Sequence, residues 1–404
     1  MSSHRSTPKR GLSPGASFTP SFKTAVSNLS QPRKDFSYLL RPEIYHPLTL
    51  IDVPPPFRVP SLQPAPDTPL EQLIAEGHFR TAAIKAAQTL TLPGIDPTDH
   101  ATIFSLLYTR LSCLTLCNQT SIASQEVKAL EDLNSNYYRD DLTSAHLVPW
   151  ELRVLAVRLQ GMGFNDARRG VMGYYELARE ARAIMSNLKK IAKENEEDTA
   201  SNENEADIQS WESRLEDLGV RVASALVEME ELEGATRHLR TLKPRKGHEA
   251  ELATKKALLW LCLGDIDAAR QSIETFAETA KDEYQTTLAL ALMAEGRYAA
   301  AIDVWKRLYD SVSDGTDLGH KAMWKQNLGI CLLYTGKMEE ARKLLEELVE
   351  EGQTFHALTF NLSTIYELCT ERSRAIKIGL AEKVASMETD GKVGWEKVNG
   401  DFKL

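Results

Sequence analysis

The chain has 404 residues, with 48 Lys and Arg against 57 Asp and Glu, for a formal net charge of −9. That length fits two or three domains or one elongated array, and a hydrophobic content of 42% supplies a core. The acidity argues against a general phosphate-binding surface, so nucleic acid is not an expected partner. No apolar run approaches the roughly 18–20 residues of a membrane span, so none is expected. The first thirty residues carry charge and proline but no apolar stretch. A secretory signal is therefore not expected, and a cytosolic or cytosol-facing protein is. Cys113, Cys117, Cys262, Cys331 and Cys369 are an odd number scattered through helical-looking sequence, which argues against a disulfide framework.

Thirteen of the 17 prolines fall in residues 1–69. Proline removes a backbone donor and restricts its predecessor, so residues 1–68 read as a disordered or extended arm. Residues 1–58 are also basic, with eight Lys and Arg against Asp35, Glu43 and Asp52. Thr7-Pro8, Ser13-Pro14 and Thr19-Pro20 fit proline-directed kinases, whose phosphate would cancel local positive charge. Residues 35–48 hold Phe36, Tyr38, Leu39, Leu40, Ile44 and Tyr45, side chains costly to leave in water. This segment is expected to dock, either onto its own chain or onto a partner. Val53 to Pro60 reads as a stiff polyproline spacer.

From residue 69 the texture changes to amphipathic helices. A turn of the form Gly-x-apolar-x-x-Ala recurs at Gly77–Ala82, Gly264–Ala269, Gly296–Ala301 and Gly336–Ala341. Degenerate copies run from Glu230 to Ala235 and from Thr370 to Ala375. From residue 230 the spacings are 34, 32, 40 and 34, and the long interval holds the loop-like run from Asp310 to Asp317. Glycine ends the first helix in a conformation other residues resist, and the alanine lets the two helix backbones approach closely. Trp260, Trp305, Leu328 and Tyr366 are expected to line one continuous core. Asn195 to Asp207 is acidic with no basic residue and reads as a mobile loop. The chain thus divides into the arm, a helical-pair region at 69–194, the acidic loop, a repeat region at 208–388 and a tail at 389–404.

Motifs that carry chemistry fail residue by residue. Tyr334-Thr-Gly-Lys337 lacks the glycine and the Ser/Thr of a P-loop, which are Cys331 and Met338 here. Gly161-Met-Gly163 has Asp at 166 and no strand before it, so the dinucleotide fingerprint fails. His248-Glu249 is followed by Leu252, so the zincin pair is incomplete. Cys113 and Cys117 share a helix face, but no nearby His or Cys pair completes a metal site, and they read as core residues. No catalytic residue, metal ligand or cofactor site is expected.

Asn327-Leu-Gly329-x-x-Leu332 and Asn361-Leu-Ser363-x-x-Tyr366, with the turns above, resemble the tetratricopeptide family from residue 211 to about 385. The resemblance implies an all-α solenoid whose concave surface takes a peptide or another subunit. The carboxylate clamp of tetratricopeptide co-chaperones is incomplete: Thr286 and Leu290 stand where Lys and Asn are required, and Ala357 where the last Lys should be. Leu147 to Ala156, Trp211 to Leu215, Asn327 to Lys337 and Phe360 to Leu368 together resemble the subunit 12 family of the transport protein particle (TRAPP) complex. That resemblance implies a non-catalytic subunit of a vesicle tether, whose type-III form serves nucleotide exchange on a Rab-family GTPase in ER–Golgi traffic and autophagy. Other large TRAPP subunits are then the expected partners, with the GTPase and Golgi membranes reached through the complex. A peptide receptor or co-chaperone-like adaptor outside TRAPP is the alternative.

Overall fold

A repeated helix turn organises the chain. Gly77, Gly264, Gly296 and Gly336 have φ of 74°, 79°, 73° and 81°, the left-handed conformation that stops a helix without a Cβ clash. Each is followed by an N–H that reaches back five residues. His78 donates to the Leu73 carbonyl at 2.8 Å, Asp265 to Trp260 at 3.0 Å and Lys337 to Leu332 at 2.9 Å. The orphan carbonyls of the first helix are satisfied in this way, and the chain reverses into the second.

The computed structural model describes residues 34–163, 167–194, 201–311, 318–388 and 393–404. Among them are sixteen α-helices and no strand, beyond an isolated bridge between Arg139 and His146. The N-terminal pairs are α1 (Leu70–Ala75) with α2 (Phe79–Thr91), and α3 (His100–Leu116) with α4 (Thr120–Glu126). The middle holds α5 (Trp150–Gly163), α6 (Ala167–Glu194), α7 (Ser201–Glu228) and α8 (Leu232–Thr241). Four pairs complete the array: α9 (Glu249–Cys262) with α10 (Ile266–Glu274), α11 (Lys281–Ala294) with α12 (Tyr298–Asp310), α13 (Leu318–Tyr334) with α14 (Met338–Glu350), and α15 (His356–Cys369) with α16 (Ser373–Ala385). Each helix packs on its sequence neighbour, the all-α solenoid expected from the repeat.

Ala82, Ala235, Ala269, Ala301 and Ala341 are fully buried where their helices meet. The sixth copy departs from the pattern, because Ala375 is exposed. Thr370 ends α15 in extended backbone at φ −154°, without the left-handed turn, so α16 enters in a different phase. Its buried face is Lys377, Leu380, Ala381 and Val384. A further copy appears that the glycine pattern misses. Asn118 has φ of 61°, Gln119 donates to the Leu114 carbonyl at 2.8 Å, and Ala123, five residues on, is fully buried. Asparagine tolerates the left-handed region, so it stands where the other copies have glycine.

The core is divided along the array. Trp305, Leu328 and Tyr366 share the large C-terminal cluster, but Trp260 belongs to a smaller one with Ala223, Leu239, Ala257 and Ala269. One continuous core therefore does not run through all four. The acidic run needs a partial correction too. Residues 195–200 lie outside the described residues, while 201–207 open the 28-residue helix α7. Glutamate is a good helix former, and acidic charge near a helix N-terminus complements its dipole. Glu205 and Asp207 stay exposed there, so the helix extends without burying them. Gly161 and Gly170 face each other across α5 and α6, and a Cβ on Gly161 would lie 3.2 Å from the Gly170 Cα.

The described parts of the arm and the tail, from residue 34 and from residue 393, are part of the fold. Residues 1–33, including the Ser/Thr-Pro dipeptides, lie outside the described residues, as do 312–317 of the loop-like run. The expected polyproline spacer is instead a pair of 3-10 turns, Pro55–Arg58 and Pro60–Leu62, each with proline at its start. Val53 and Phe57 are fully buried in the C-terminal core, which outweighs the extended preference of the prolines. Trp395 and Phe402 from the tail enter the same core. The Phe57 and Trp395 ring centroids are 5.3 Å apart in an edge-to-face pair. Backbone bonds tie arm and tail into the array: Trp395 N–H to the Gly77 carbonyl at 3.0 Å and Asn399 N–H to that of Asp52 at 2.7 Å.

Local geometry yields two stability predictions. Glu230 occupies the glycine position of its turn at φ 58°. Glu230→Gly should raise stability by about 0.5–1 kcal/mol in urea denaturation, by removing the left-handed penalty. His146 is held neutral: its Nε2 lies 2.9 Å from the Leu133 carbonyl and its Nδ1 accepts from the Val148 N–H at 3.0 Å. Burial, with Arg153 nearby, pushes its pKa from 6.5 down to about 4. Between those values the unfolded chain binds the extra proton, so this contribution is complete above pH 6.5 and lost towards pH 4. Urea midpoints should fall across that window, and His146→Gln should flatten the slope.

Candidate docking surface

The aromatic segment of the arm lies against its own chain. Asp35 turns the backbone, its Oδ1 accepting from the Ser37 N–H at 2.8 Å, and a 3-10 turn at Ser37–Leu40 follows. That turn aims Phe36 and Leu39 inward, where both are fully buried with α2, α3 and the loop before α5. The Phe36 ring meets Phe104 edge-on at 5.0 Å and Tyr137 at 5.5 Å, and stacks near Tyr138 at 6.1 Å. Tyr38 and Tyr138 share a hydroxyl–hydroxyl bond of 2.6 Å, and the Tyr45 hydroxyl donates to the Leu39 carbonyl at 2.6 Å. Burial pushes the Tyr38 and Tyr45 hydroxyls well above the usual phenol range, so both act as neutral donors.

A buried ion pair fixes the segment further. Arg110 on α3 and Glu126 on α4 are each about 1% exposed and pair through two bonds, 2.9 and 2.6 Å. Their remaining valences hold the arm: Arg110 donates to the His46 carbonyl at 2.8 Å, and Glu126 accepts from the His46 N–H at 2.8 Å. A buried pair satisfied this fully specifies geometry, and removing one partner strands a charge. Of the six segment residues, Phe36 and Leu39 are thus unavailable to a partner. Tyr38, Leu40, Ile44 and Tyr45 keep partial exposure. Tyr38 and Ile44, with Glu131, Asp132 and Tyr137, rim a shallow cavity of about 910 Å³.

Another apolar surface runs along the first helices of the C-terminal pairs. Leu258, Leu290 and Ile330 occupy one repeat position on α9, α11 and α13, and all three keep some exposure. Tyr334 and Leu368 do the same on α13 and α15, at 64% and 58% exposure. The two asparagines at clamp positions, Asn327 and Asn361, stand on these helices and are half-buried. Lys325 on α13 turns inward, 3% exposed, and pairs with Glu351 at 2.7 Å. Cys113 and Cys117 are buried in the N-terminal core, which raises their thiols to about 12 and about 11. Among the described residues no group of His, Cys, Asp and Glu is arranged to hold a metal, and no helix is long and apolar enough to cross a membrane.

The docking of the arm in cis has a direct consequence. Phe36→Ala should lower stability by about 3–5 kcal/mol in urea denaturation, the range for emptying a buried aromatic site. An unchanged midpoint with weakened partner binding would return the segment to a docking role in trans.

No family model matches the chain. Among solved structures it is similar to the Assembly Chaperone of RpL4 (Acl4), residues 1–338, at 15% identity and a TM-score of 0.30. That match covers 76% of this chain and 96% of the other, and at such a score it carries no argument. Among curated proteins, trafficking protein particle complex subunit 12 of Mus musculus is 25% identical over 349 residues, 80% of this chain and 43% of its own length. The Homo sapiens protein of the same name is 24% identical over 349 residues, again 80% of this chain and 46% of its own. The chain therefore spans less than half the length of the curated relatives it matches. Across four fifths of its length the chain is thus similar to two proteins of one name, trafficking protein particle complex subunit 12.

Proposed function

We propose that the chain is a non-catalytic structural subunit of a TRAPP-type vesicle tether of the type-III form, joining other large subunits through its helical-repeat surface. The observation that carries the reading is the alignment with subunit 12 over 80% of the chain. Its link to a Rab-family GTPase, to Golgi membranes and to autophagy runs through the assembled complex, with the chain itself peripheral and cytoplasmic. What supports a scaffold role physically is the row of partly exposed apolar side chains at Leu258, Leu290 and Ile330, continued by the more exposed Tyr334 and Leu368. Such a row is expensive to leave in water and rests on a rigid helical frame, as an interface requires. Thr286, Leu290 and Ala357 at the positions where a carboxylate clamp needs Lys, Asn and Lys weigh against the alternative, a receptor for carboxylate-ended peptides.

The test is recovery of partners. Tagged full-length chain purified from cells should bring other TRAPP subunits with it, identified by mass spectrometry. Leu258→Asp with Ile330→Asp should cut that recovery about tenfold, since charge in an apolar interface leaves it unpaired, while helical content by circular dichroism stays unchanged. Recovery of chaperones without tether subunits would sink the proposal.

A further inference from the structure

The middle of the array holds a cavity of about 580 Å³ between α6, α7 and the link from α8 to α9, within the usual size of ligand sites. Its floor is apolar. Ala178, Leu218 and Val222 are buried there, and Tyr175, Leu215 and Leu242 continue the surface outward. Its rim is basic. Arg182, Lys243, Arg245 and Lys246 line the cavity, and Lys189 and Lys190 extend the rim along α6.

Local carboxylates compensate this charge only in part. Glu212 pairs with Lys189 at 2.8 Å, and Glu216 is taken by Arg245 through its backbone N–H at 3.0 Å and its Nε at 3.4 Å. Arg182, Lys190 and Lys243 are exposed and make no ion pair among the described residues. A chain of net charge −9 therefore concentrates unpaired cations around one apolar groove. Self-repulsion opposes such a cluster, and an anionic occupant relieves it.

We propose that this groove docks an acidic segment of a partner protein, a short run of Asp and Glu around one or two apolar side chains. The floor decides the class of occupant. A phosphodiester chain would meet the cations but leave the apolar floor uncovered, and a flat bilayer could not reach between the helices. A peptide covers both, its apolar side chains on Leu215, Leu218 and Leu242 and its carboxylates on Arg182 and Lys243. The inference concerns the isolated chain and stands whether or not that chain enters a TRAPP assembly.

The experiment uses the purified full chain and a fluorescein-labelled octapeptide with six carboxylates around a Leu-Phe pair, read by anisotropy. Binding should be saturable and should weaken about tenfold in the Arg182→Glu/Lys243→Glu variant, and again at 0.5 M salt, where the Debye length shrinks to about 4 Å. Both positions are exposed, so helical content should not change. Tyr175→Ala, which leaves the charge intact, should weaken binding through the floor. Absence of saturable binding, equal affinity in the charge-reversed variant, or equal affinity for a peptide with Lys in place of Glu would each overturn the proposal. So would sedimentation with phosphatidylserine vesicles that the same reversal abolishes, without any peptide binding.

Discussion

The rest of the molecule depends on how the two ends of the helical array hold each other. A repeat array buries each unit on its neighbours, which leaves an apolar face bare at either end. Here residues 49–58 of the arm and 393–404 of the tail cover those faces together. Phe57, Trp395 and Phe402 complete the C-terminal core, and the same tail reaches α2 through Arg80 and Glu396, which pair beneath the surface. Arg80 also donates to the Thr49 carbonyl at 2.7 Å, so one guanidinium ties arm, first helix pair and tail. Arg80 Nη2 is left without a partner, and burial pushes the Glu396 carboxyl upward. The junction is specified by polar contacts and stabilised by the aromatic ones.

Ionic contacts play a consistent part along the array. Arg110–Glu126, Arg153–Glu180 and Lys325–Glu351 each join one helix to a later segment. Taking such charges out of water offsets most of their attraction, so their main effect is to fix register between helices whose apolar faces are interchangeable. Lys377 illustrates the same logic where the repeat breaks down. It stands on the buried face of α16 and is held by Glu367 at 2.5 Å and the Lys403 carbonyl at 3.0 Å. The last pair therefore closes with a salt bridge and a tail contact where earlier pairs close with alanine against a helix.

Much of this was legible in the sequence, because the turn that makes the repeat needs a left-handed residue and then a small one. Gly77, Gly264, Gly296 and Gly336 declared it, and the all-α array follows from them and the helix segments. Asn118 and Glu230 adopt the same conformation without glycine, so Asn118 escaped the pattern and Glu230 marked only a degenerate copy. Ala375 failed for the converse reason: its spacing fits, but no left-handed turn precedes it to set the phase. The candidate docking segment was recognisable from the density of aromatics at 35–48, though not which surface receives it. That depends on Phe104, Tyr137 and Glu126, which only the fold brings together. The basic groove was invisible for the same reason, since Arg182 and Lys243 are 61 residues apart in a chain that is acidic overall.

The clasp also sets a timetable for synthesis. Phe57 leaves the ribosome 338 residues before Trp395, the ring it finally packs against. At about 5–20 residues per second, the arm waits roughly 17–70 s for the surface it belongs to. Local helix pairs form in microseconds once they emerge, so the solenoid grows behind an arm whose Val53 and Phe57 are still wet. A nascent chain of this protein therefore carries a sticky strap throughout the making of its helices. Residues 393–404 convert that strap into core, and quality control would see an incomplete product by the strap it fails to hide.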